Sequence, residues 1–292
     1  MGFFTNRYKE LDKDFEEVVP EEKYLRINTL LREEEEVIKR LNRLGVQVYK
    51  TALPGCYSYK SSFALSSMTE HLNGWFYLQG LASQAAAYAL NPEQGSLVID
   101  MAAAPGSKTT HVSQLMNNTG RIVALDKNRD RLFALRENCE RLGVLNVIGV
   151  RKDAIYAHDL DLKADYVLLD SPCSGNYCSD EGWEDKRTLM DVQQNARTQR
   201  ELIKTAYKLL KKGGVLVYST CSLEPEENEL IIQFALSLGF EIEDVNLPDL
   251  GQSPGTTSFG DETLDTSLSK TIRFWPYKTR TEGFYIARLK KN

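Results

Sequence analysis

At 292 residues the chain exceeds one average domain, so we expect one large domain and a smaller one. Its hydrophobic fraction of 42% and charged fraction of 26% are those of an ordinary globular protein. The net charge of −5 argues against broad, nonspecific nucleic-acid binding, although it does not exclude a local basic face.

Features of membrane, secreted and zinc proteins are absent from the sequence. No apolar run approaches the roughly 20 residues of a membrane span. The segment MGFFTNRYKELDKDFEE lacks the basic and apolar regions of a signal peptide, so we expect a cytoplasmic protein. Five scattered cysteines without CxxC spacing do not form a disulfide framework, and with three histidines they do not favour a zinc site.

The first 75 residues predict a helix followed by a small α/β unit. Apolar residues recur near helical spacing up to Pro20. The segment after it reads as strand, helix and strand, over 24–31, 32–45 and 46–53, and residues 54–75 are irregular. Because this unit is too short to be the main domain, we place a small N-terminal domain at 1–75.

Residues 76–292 predict the main domain, because strands alternate with helices along this part of the chain. Such alternation specifies a doubly wound, mostly parallel α/β sheet. The polar segment 246–271 is expected to be a mobile surface loop without regular structure. The predicted strands cover 96–100, 121–126, 146–151, 164–170, 213–220 and 284–289, and the predicted helices cover 76–90, a stretch after Pro105, 128–142, 190–211 and 225–238.

Two cysteines each follow an apolar run of strand length. Cys173 lies in DSPCSG and Cys221 in VYSTCSLEP. Open α/β sheets place their chemistry just past the ends of parallel strands, so two thiols there predict thiol chemistry in one cleft. The alternative is that each is a small buried hydrophobic side chain, the usual fate of a free cysteine.

The string DMAAAPGSKTTH, at the end of the first strand of this domain, predicts a cofactor loop. Its small residues let a ligand approach the backbone, and the helix that follows offers free N–H groups. The string contains neither a P-loop nor GxGxxG, and it would suit a bulkier cofactor that carries a carboxylate. The residues of this candidate loop are Ala102, Ala103, Ala104, Pro105, Gly106, Ser107 and Lys108.

Carboxylates recur at the predicted strand ends. Asp126 ends the second strand, where a carboxylate hydrogen-bonds ribose hydroxyls in doubly wound folds. Asp153 could accept a hydrogen bond from an adenine amino group. Together with Asp100 and Asp170 they favour an adenosyl cofactor, and S-adenosylmethionine over a dinucleotide. Arg131 and Asp170 complete the predicted cofactor-binding set.

The motifs resemble those of the Fmu/Sun family of RNA cytosine-5 methyltransferases, from about residue 22 to the C-terminus. They are RINTL, GWFYLQGLASQ, DMAAAPGSKTTH, ALDKN, DSPCSG, YSTCSLEPEENE and RFWPYKTRTEGFY. The resemblance implies a seven-stranded methyltransferase sheet with an antiparallel last strand and a small N-terminal subdomain similar to an RNA-recognition motif.

The sequence departs from this family at three places. Ala102 stands where the family usually has Cys, and Ser107 where it usually has Gly; both changes leave the cofactor site plausible. After PCSG the chain reads NYCSDEGW, where the family commonly continues with TG. The additional Cys178 is interpreted as an incidental thiol, with a local disulfide or redox role as the alternative.

Methylation at carbon 5 of cytosine explains why two cysteines would be present. Carbon 5 is a poor nucleophile until a thiolate adds to C6, which is covalent catalysis. Spacing alone leaves open which cysteine attacks. The resemblance implies that Cys221 attacks, that Cys173 assists product release, that Asp170 hydrogen-bonds or protonates the ring at N3 and that Lys108 lies beside cofactor and base. By the same resemblance, the carbonyl of Pro172 reads the amino group.

Basic and aromatic residues near the C-terminus favour RNA contact, because their interleaving suits phosphate binding and base stacking. They are Arg273, Lys278, Arg280 and Arg288 beside Phe274, Trp275, Tyr277 and Phe284. In the N-terminal unit, Arg26 and Asn28 are expected to help. The basic residues of helix 190–211 are interpreted as a solvated face.

The predicted function is S-adenosylmethionine-dependent methylation of RNA by a monomer, with tRNA favoured as substrate. That preference rests on the compact chain, and ribosomal RNA is the second candidate. A catalytically silent RNA-binding or assembly protein is the alternative from another class. The presence of Cys173, Cys221 and Asp170 together speaks against it.

Overall fold

The computed structural model describes residues 2–292. Its first helix, α1 (Phe3–Leu11), buries Phe4 and Tyr8 in an aromatic cluster that includes Trp183. The prediction of a helix up to Pro20 is wrong beyond Leu11. The chain leaves α1 in an extended conformation, and Phe15 inserts its ring into the same cluster. The apolar residues from Phe4 to Phe15 therefore share one cluster without a continuous helix, whereas Val18 and Val19 are exposed.

A four-stranded antiparallel sheet follows α1, and we call it the N-terminal sheet. Helix α2 (Glu34–Arg43) connects its first two strands, and the short α3 (Thr69–Leu72) precedes its last. The order along the chain, β-α-β-β-α-β, is that of split β-α-β units. The strands are β1 (Lys23–Ile27), β2 (Gln47–Lys50), β3 (Cys56–Lys60) and β4 (Phe76–Leu78), in the spatial order β2-β3-β1-β4.

Two secondary-structure predictions in this region are wrong. Residues 54–75 are not irregular, since they contain β3 and α3. Residues 76–78 form a strand, and the helix predicted over 76–90 begins at Leu81. Phe76 is fully buried with Leu25 in the core of the N-terminal sheet, so packing against β1 determines its conformation. The sheet thus ends at Leu78, three residues past the predicted boundary.

The main sheet confirms the predicted doubly wound, mostly parallel fold. Neighbouring parallel strands run in the order β9-β8-β5-β6-β7, and β15 lies antiparallel to β9. Within residues 2–292 the sheet has nine strands where seven were expected, because two short strands, β11 and β14, extend its β15 edge. Its strands are β5 (Leu97–Asp100), β6 (Arg121–Asp126), β7 (Val147–Arg151), β8 (Ala164–Asp170), β9 (Leu210–Thr220), β10 (Phe240–Glu243), β11 (Ser253–Pro254), β14 (Ile272–Phe274) and β15 (Phe284–Lys291).

Helices cover both faces of the main sheet. Successive strand residues point to opposite faces, so Val98 packs beneath α4 and α5 while Ile99 packs beneath α8 and α9. Among residues 2–292, no helix combines the length and apolar character that a membrane crossing requires. The helices are α4 (Leu81–Leu90), α5 (Ser107–Leu115), α6 (Arg129–Arg141), α7 (Trp183–Lys186), α8 (Leu189–Leu209), α9 (Glu229–Ser237) and α10 (Pro276–Thr279).

The polar segment 246–271 has regular structure, contrary to the prediction. It contains β11, the hairpin β12 (Ser258–Phe259) and β13 (Glu262–Thr263), and a 3-10 helix over Thr266–Lys270. Leu268 is fully buried in the main core. Leu264, four positions earlier, is buried in the same core, but two leucines within a polar string are too few to predict such anchoring.

Candidate active site

The carboxyl ends of β8 and β9 bring the two predicted cysteines together. Asp170 at the end of β8 pairs in register with Ser219 on β9, so the loops that follow the two strands start side by side. Cys173 and Cys221 lie on these loops, and their sulfur atoms are 3.1 Å apart. Both thiols are free and partly exposed. The cleft therefore presents two interacting thiols to a substrate.

A buried lysine and a carboxylate lie next to the thiols. Lys108 Nζ donates to Asp170 Oδ2 at 2.6 Å, and Ser219 Oγ donates to Asp170 Oδ1 at 2.7 Å. Burial opposes the charge on Lys108, but Asp170, followed by Cys221, outweighs it and raises the pKa of the lysine. Lys108 Nζ also lies 5.2 Å from the ring centroid of Phe284. This corner of the site thus holds a fixed cation beside a carboxylate.

The pair of thiols is asymmetric in charge. The hydrogen bond from Cys173 lowers the pKa of Cys221; burial and Asp170 oppose this, and Lys108 adds to it. The pKa of Cys173 is raised well above the ordinary thiol value, first by its hydrogen bond with Cys221 and then by burial. These two directions favour Cys221 as the sulfur that ionises, with Cys173 as its hydrogen-bond donor. The sequence pattern gave no sign of this environment.

A cleft beside the thiols contains four of the predicted cofactor residues, namely Ala102, Asp126, Arg131 and Asp153. The other predicted residues do not line it. Lys108 and Asp170 face the thiols, and Ala103 and Ala104 pack in the core under α6. The lining residues are Met101, Ala102, Asp126, Lys127, Arg131, Lys152, Asp153, Ala154, Ile155, Pro172, Thr198 and Leu202.

The cofactor loop between Ala102 and Lys108 turns sharply before α5. Gly106 has a φ of 105°, and a Cβ there would lie 2.7 Å from Leu135 Cδ1, so glycine is required. Ser107 begins α5 directly after it. Pro105 accepts a hydrogen bond at its carbonyl from Asn138 Nδ2 at 2.9 Å, which ties the loop to α6. Pro105, Gly106 and Ser107 therefore shape the loop from outside the cleft.

The chemistry of this cleft fits an adenosyl group. Asp126 Oδ1 accepts from the Asn128 N–H at 2.8 Å, and Asp126 Oδ2 lies 3.2 Å from Arg131 Nη1, which fixes the carboxylate at the end of β6. Asp153 caps the next turn through the Ile155 N–H at 3.1 Å. Two fixed carboxylates can accept from ribose hydroxyls and an adenine amino group. Ala154, Ile155 and Leu202 supply an apolar wall for a ring.

Asp100 has a different role from the other strand-end carboxylates. Its side chain is buried, and burial raises its pKa to about 6. Thr109 Oγ1 donates to Asp100 Oδ2 at 2.7 Å, and the Ala102 N–H donates to Oδ1 at 3.3 Å. Asp100 therefore braces the cofactor loop from inside and does not line the cleft.

Several predicted RNA contacts are wrong because the side chains are buried. Arg273 forms an ion pair with Glu229 inside the protein and donates to the Leu223 carbonyl at 2.9 Å. The aromatic side chains of Phe274, Trp275 and Phe284 are buried as well, so none of them can stack on a base. Arginine in a motif has the same sequence signature whether it faces phosphate or a buried carboxylate.

The predicted contacts in the N-terminal sheet are also wrong. Arg26 is 1% exposed and donates to Thr110 Oγ1 at 3.0 Å and to Gln114 Oε1 at 3.2 Å. Asn28 is 2% exposed and donates to the carbonyls of Gly74 and Leu142. Through these bonds β1 and the residue after it are fastened to α5 and to the end of α6, so the two side chains join the N-terminal sheet to the main domain.

Other basic candidates differ in exposure. Lys278 pairs with Asp12, and Arg288 pairs with Glu243 while donating to the carbonyls of Ala89 and Leu90. Arg280, at the end of α10, is 79% exposed. On α8, Arg197, Arg200 and Lys208 are exposed, in keeping with a solvated face.

Breaking the Arg273–Glu229 pair should strongly destabilise the fold. We expect Arg273→Met to lower the free energy of unfolding by about 3–5 kcal/mol, because Glu229 would be left as a buried, unpaired charge. Urea denaturation measures the change. Arg136→Met, which removes the exposed pair with Glu140, is the control and should leave stability unchanged. Equal stabilities of the two variants would contradict this assignment.

Glu224 should make stability depend on pH. It is buried beside Arg7, and burial raises its pKa to about 7 although Arg7 acts in the opposite direction. Because the folded-state pKa exceeds the ordinary 4.5, its contribution is fully present below pH 4.5 and is lost as pH rises through 7. From pH 4.5 to 8, wild type should lose about 3 kcal/mol more than Glu224→Gln in denaturant titrations. If the stabilities of wild type and Glu224→Gln changed equally with pH, this role of Glu224 would be refuted.

Comparison with known proteins identifies the family. A family model described as 16S rRNA methyltransferase RsmB/F matches residues 87–290. The chain belongs to the RsmB/F methyltransferase family. The resemblance to Fmu/Sun motifs is confirmed. The tRNA (cytosine(49)-C(5))-methyltransferase of Pyrococcus abyssi is 36% identical, over 98% of this chain and 95% of that protein.

Two longer relatives and one solved structure are also similar to this chain. The tRNA (cytosine(72)-C(5))-methyltransferase of Pyrococcus horikoshii is 44% identical over 78% of this chain, which spans 55% of that relative's length. The chain spans 35% of the mouse 28S rRNA (cytosine-C(5))-methyltransferase, at 36% identity. A crystal structure of a methyltransferase homolog from Pyrococcus horikoshii superimposes with a TM-score of 0.88, at 35% identity, covering 99% of this chain and 94% of that one.

Proposed function

We propose that this protein is an S-adenosylmethionine-dependent RNA methyltransferase that forms 5-methylcytosine in tRNA. The observation that carries the proposal is the pair of thiols 3.1 Å apart, adjacent to Lys108 and Asp170 and beside a cleft that fits an adenosyl group. The two Pyrococcus relatives named as tRNA cytosine-C5 methyltransferases support this substrate.

The cofactor would occupy the cleft between β6 and the loop after β7. Asp126 and Asp153 would accept hydrogen bonds from its hydroxyl and amino groups, and Ile155 would pack on its ring. When bound, S-adenosylmethionine supplies an electrophilic methyl group on a sulfonium. Arg131 would keep Asp126 in place through the 3.2 Å ion pair. This chain is 31% identical to NSun6 from Pyrococcus horikoshii, whose crystal structure was solved with SFG.

Cys221 would act as the nucleophile, because it is the thiol whose pKa is lowered. Its thiolate adds to C6 of cytosine and forms a C–S bond, and the displaced electron pair makes C5 nucleophilic. Carbon 5 would then bond to the methyl carbon while the bond from that carbon to the sulfonium breaks, with its electron pair left on the departing S-adenosylhomocysteine. The C5 hydrogen would leave as a proton, and its electron pair would re-form the C5=C6 double bond. The C6–S bond finally breaks and its electron pair returns to Cys221, so the enzyme is regenerated and one proton is released per turnover.

Asp170 and Lys108 would stabilise the charge that develops on the ring. The Asp170 side chain is 33% exposed at the thiol cleft, so it can hydrogen-bond N3 of the base as the adduct forms. The buried cation of Lys108, 2.6 Å away, fixes the carboxylate in place. The Pro172 carbonyl accepts a hydrogen bond from Gln199 Nε2 at 2.9 Å, and its second lone pair would accept from the amino group of the base.

Cys173 would act when the adduct breaks down. Its raised pKa keeps it protonated, and it lies in hydrogen-bond contact with Cys221. A neutral thiol in that position can donate to the sulfur of Cys221 as this sulfur leaves C6. The two cysteines would therefore have different roles, one in bond formation and one in bond breakage.

The substrate cytosine would have to leave its stack to reach the thiols. In this proposal the chain divides into an RNA-binding N-terminal unit and a catalytic domain. The N-terminal unit ends at Leu78, where its sheet ends. Arg280 is an exposed cation at their junction, where Tyr24 Oη donates to its carbonyl at 3.0 Å and Glu22 Oε1 lies 3.9 Å from its Nη1. We assign phosphate contact to Arg280 in place of Arg26 and Arg273. We also propose that the protein acts as a monomer, which sedimentation analysis tests.

Methylation of defined RNAs tests the function. The purified protein is incubated with S-adenosylmethionine and either tRNA transcripts or ribosomal RNA fragments, and bisulfite sequencing maps 5-methylcytosine. We expect methylation at a single cytosine in tRNA. Methylation confined to ribosomal RNA would favour the second candidate, which the family description and the mouse relative support. Cofactor and RNA binding without any methyl transfer would indicate a silent RNA-binding protein.

A further inference from the structure

Glu227 joins the two loops that carry the cysteines. It lies after β9, in the 3-10 turn Pro225–Glu227, and its side chain is fully buried. Its carboxylate accepts from the backbone N–H of Ser174 at 3.0 Å and also from the hydroxyl of the same serine. Because Ser174 directly follows Cys173, this carboxylate holds one side of the Cys173 position.

Gln199 holds the other side. This residue of α8 is 0% exposed, and its Nε2 donates to the Pro172 carbonyl at 2.9 Å and to Glu227 Oε1 at 3.2 Å. Both neighbours of Cys173 in the chain are therefore fastened to the same buried pair. The pair also touches the cofactor cleft through Pro172, and the charge of Glu227 acts on Cys221 as well, but the bonds to Pro172 and Ser174 bear most directly on the position of Cys173.

The charge of Glu227 also acts on Cys173. The hydrogen bond to Cys221 and burial raise the pKa of Cys173, and the negative charge of Glu227 adds to them. Three hydrogen-bond donors from Ser174 and Gln199 converge on the Glu227 carboxylate. A buried carboxylate with this many donors fixes geometry, because each bond restrains a different atom of the loop.

We propose that Glu227 and Gln199 are positioning residues that hold Cys173 against Cys221 for breakdown of the covalent RNA adduct. This inference rests on the proposed function. In the step concerned, the C6–S bond breaks, its electron pair returns to Cys221, and the thiol of Cys173 donates a hydrogen bond to that sulfur. A misplacement of about 1 Å costs roughly 100-fold in such a step.

Glu227→Gln is the first test. An amide is uncharged and supplies one acceptor oxygen instead of two, so either the Ser174 hydroxyl or the donors on Oε1, the Ser174 N–H and Gln199 Nε2, lose their acceptor and the loop is held less firmly. We expect breakdown of the adduct with tRNA to slow by about 10- to 100-fold, with adduct formation changed by less than about threefold. Rapid quench followed by denaturing gels measures both rates. Glu224→Gln is the matched control, since it makes the same change at a buried glutamate that does not touch Pro172–Ser174.

Thiol alkylation gives a second readout that requires no RNA. Without the charge of Glu227, the pKa of Cys173 should fall, and iodoacetamide at pH 8 should modify Cys173 about tenfold faster. Mass spectrometry follows each cysteine separately. The buried Cys56 and Cys139 are internal controls, because general loosening of the fold would expose them as well.

The outcomes are distinct. If Glu227→Gln matches Glu224→Gln in both adduct breakdown and Cys173 alkylation, the positioning role is refuted. If wild type forms no adduct but Glu227→Gln still accelerates Cys173 alkylation selectively, the positioning role stands and the proposed function fails. Should Glu227→Gln not fold, Gln199→Met keeps the side-chain volume, removes both Nε2 bonds and is judged by the same two readouts.

Discussion

Replacement of Cys173 by alanine should trap the RNA on the protein. Cys221 keeps Lys108 as a nearby cation, so bond formation and methyl transfer continue, more slowly because the hydrogen bond that lowers the pKa of Cys221 is lost, while the thiol that assists departure of its sulfur is gone. We expect a methylated covalent adduct that survives denaturing gels. Cys221→Ala should form no adduct and lose turnover by about 10⁴-fold or more, the scale on which removal of a catalytic nucleophile operates.

Cys178→Ala is the control for both variants. Cys178 is another partly exposed thiol of the same loop, five residues after Cys173, and its pKa is raised to about 11 chiefly by burial. The Cys178→Ala variant should methylate tRNA at the wild-type rate. An adduct trapped by Cys221→Ala together with normal turnover of Cys173→Ala would reverse the two roles.

Replacement of Asp170 by asparagine should cause the second large loss of methyltransferase activity. Asparagine keeps the shape of the side chain but removes the charge that holds Lys108 and hydrogen-bonds the ring. We expect kcat to fall by about 10²- to 10⁴-fold, the range of a positioned acid–base group, while tRNA affinity is little changed. Single-turnover methyl transfer measures the rate, and filter binding measures the affinity.

The same strand offers a matched control. Asp165 lies near the opposite end of β8 and also pairs with a lysine, Lys211, at 2.6 Å, but it is remote from the thiols. Asp165→Asn should change stability by at most about 1 kcal/mol and leave kcat unchanged. If both asparagine variants retained full activity, Asp170 would have no part in the chemistry.

The sequence could predict the site to the extent that it depends on strand ends. Parallel strands place their carboxyl ends at one edge, so Cys173, Cys221 and Asp170 could be expected to meet before any distance was known. The same reasoning located Asp126 and Asp153. Each of these residues follows an apolar run, and that signal is local in the chain.

Residues whose partners are distant in the chain could not be assigned in this way. Arg26 bonds Thr110, 84 positions away, and Arg273 bonds Glu229, 44 positions away. Nothing in the neighbouring sequence distinguishes such an arginine from one that faces RNA. Glu227 was overlooked for a similar reason, because the acidic string around it resembles a solvated turn while the structure buries it under both cysteine loops.

The identity of the attacking thiol is the central claim, and one measurement tests it directly. Wild-type protein is incubated with S-adenosylmethionine and tRNA that contains 5-fluorocytidine. Fluorine at C5 cannot leave as a proton does, so the covalent adduct persists after methyl transfer. Peptide mass spectrometry then locates the modified cysteine. We predict the adduct on Cys221; an adduct on Cys173, or no adduct in an RNA that the enzyme otherwise methylates, would contradict the account.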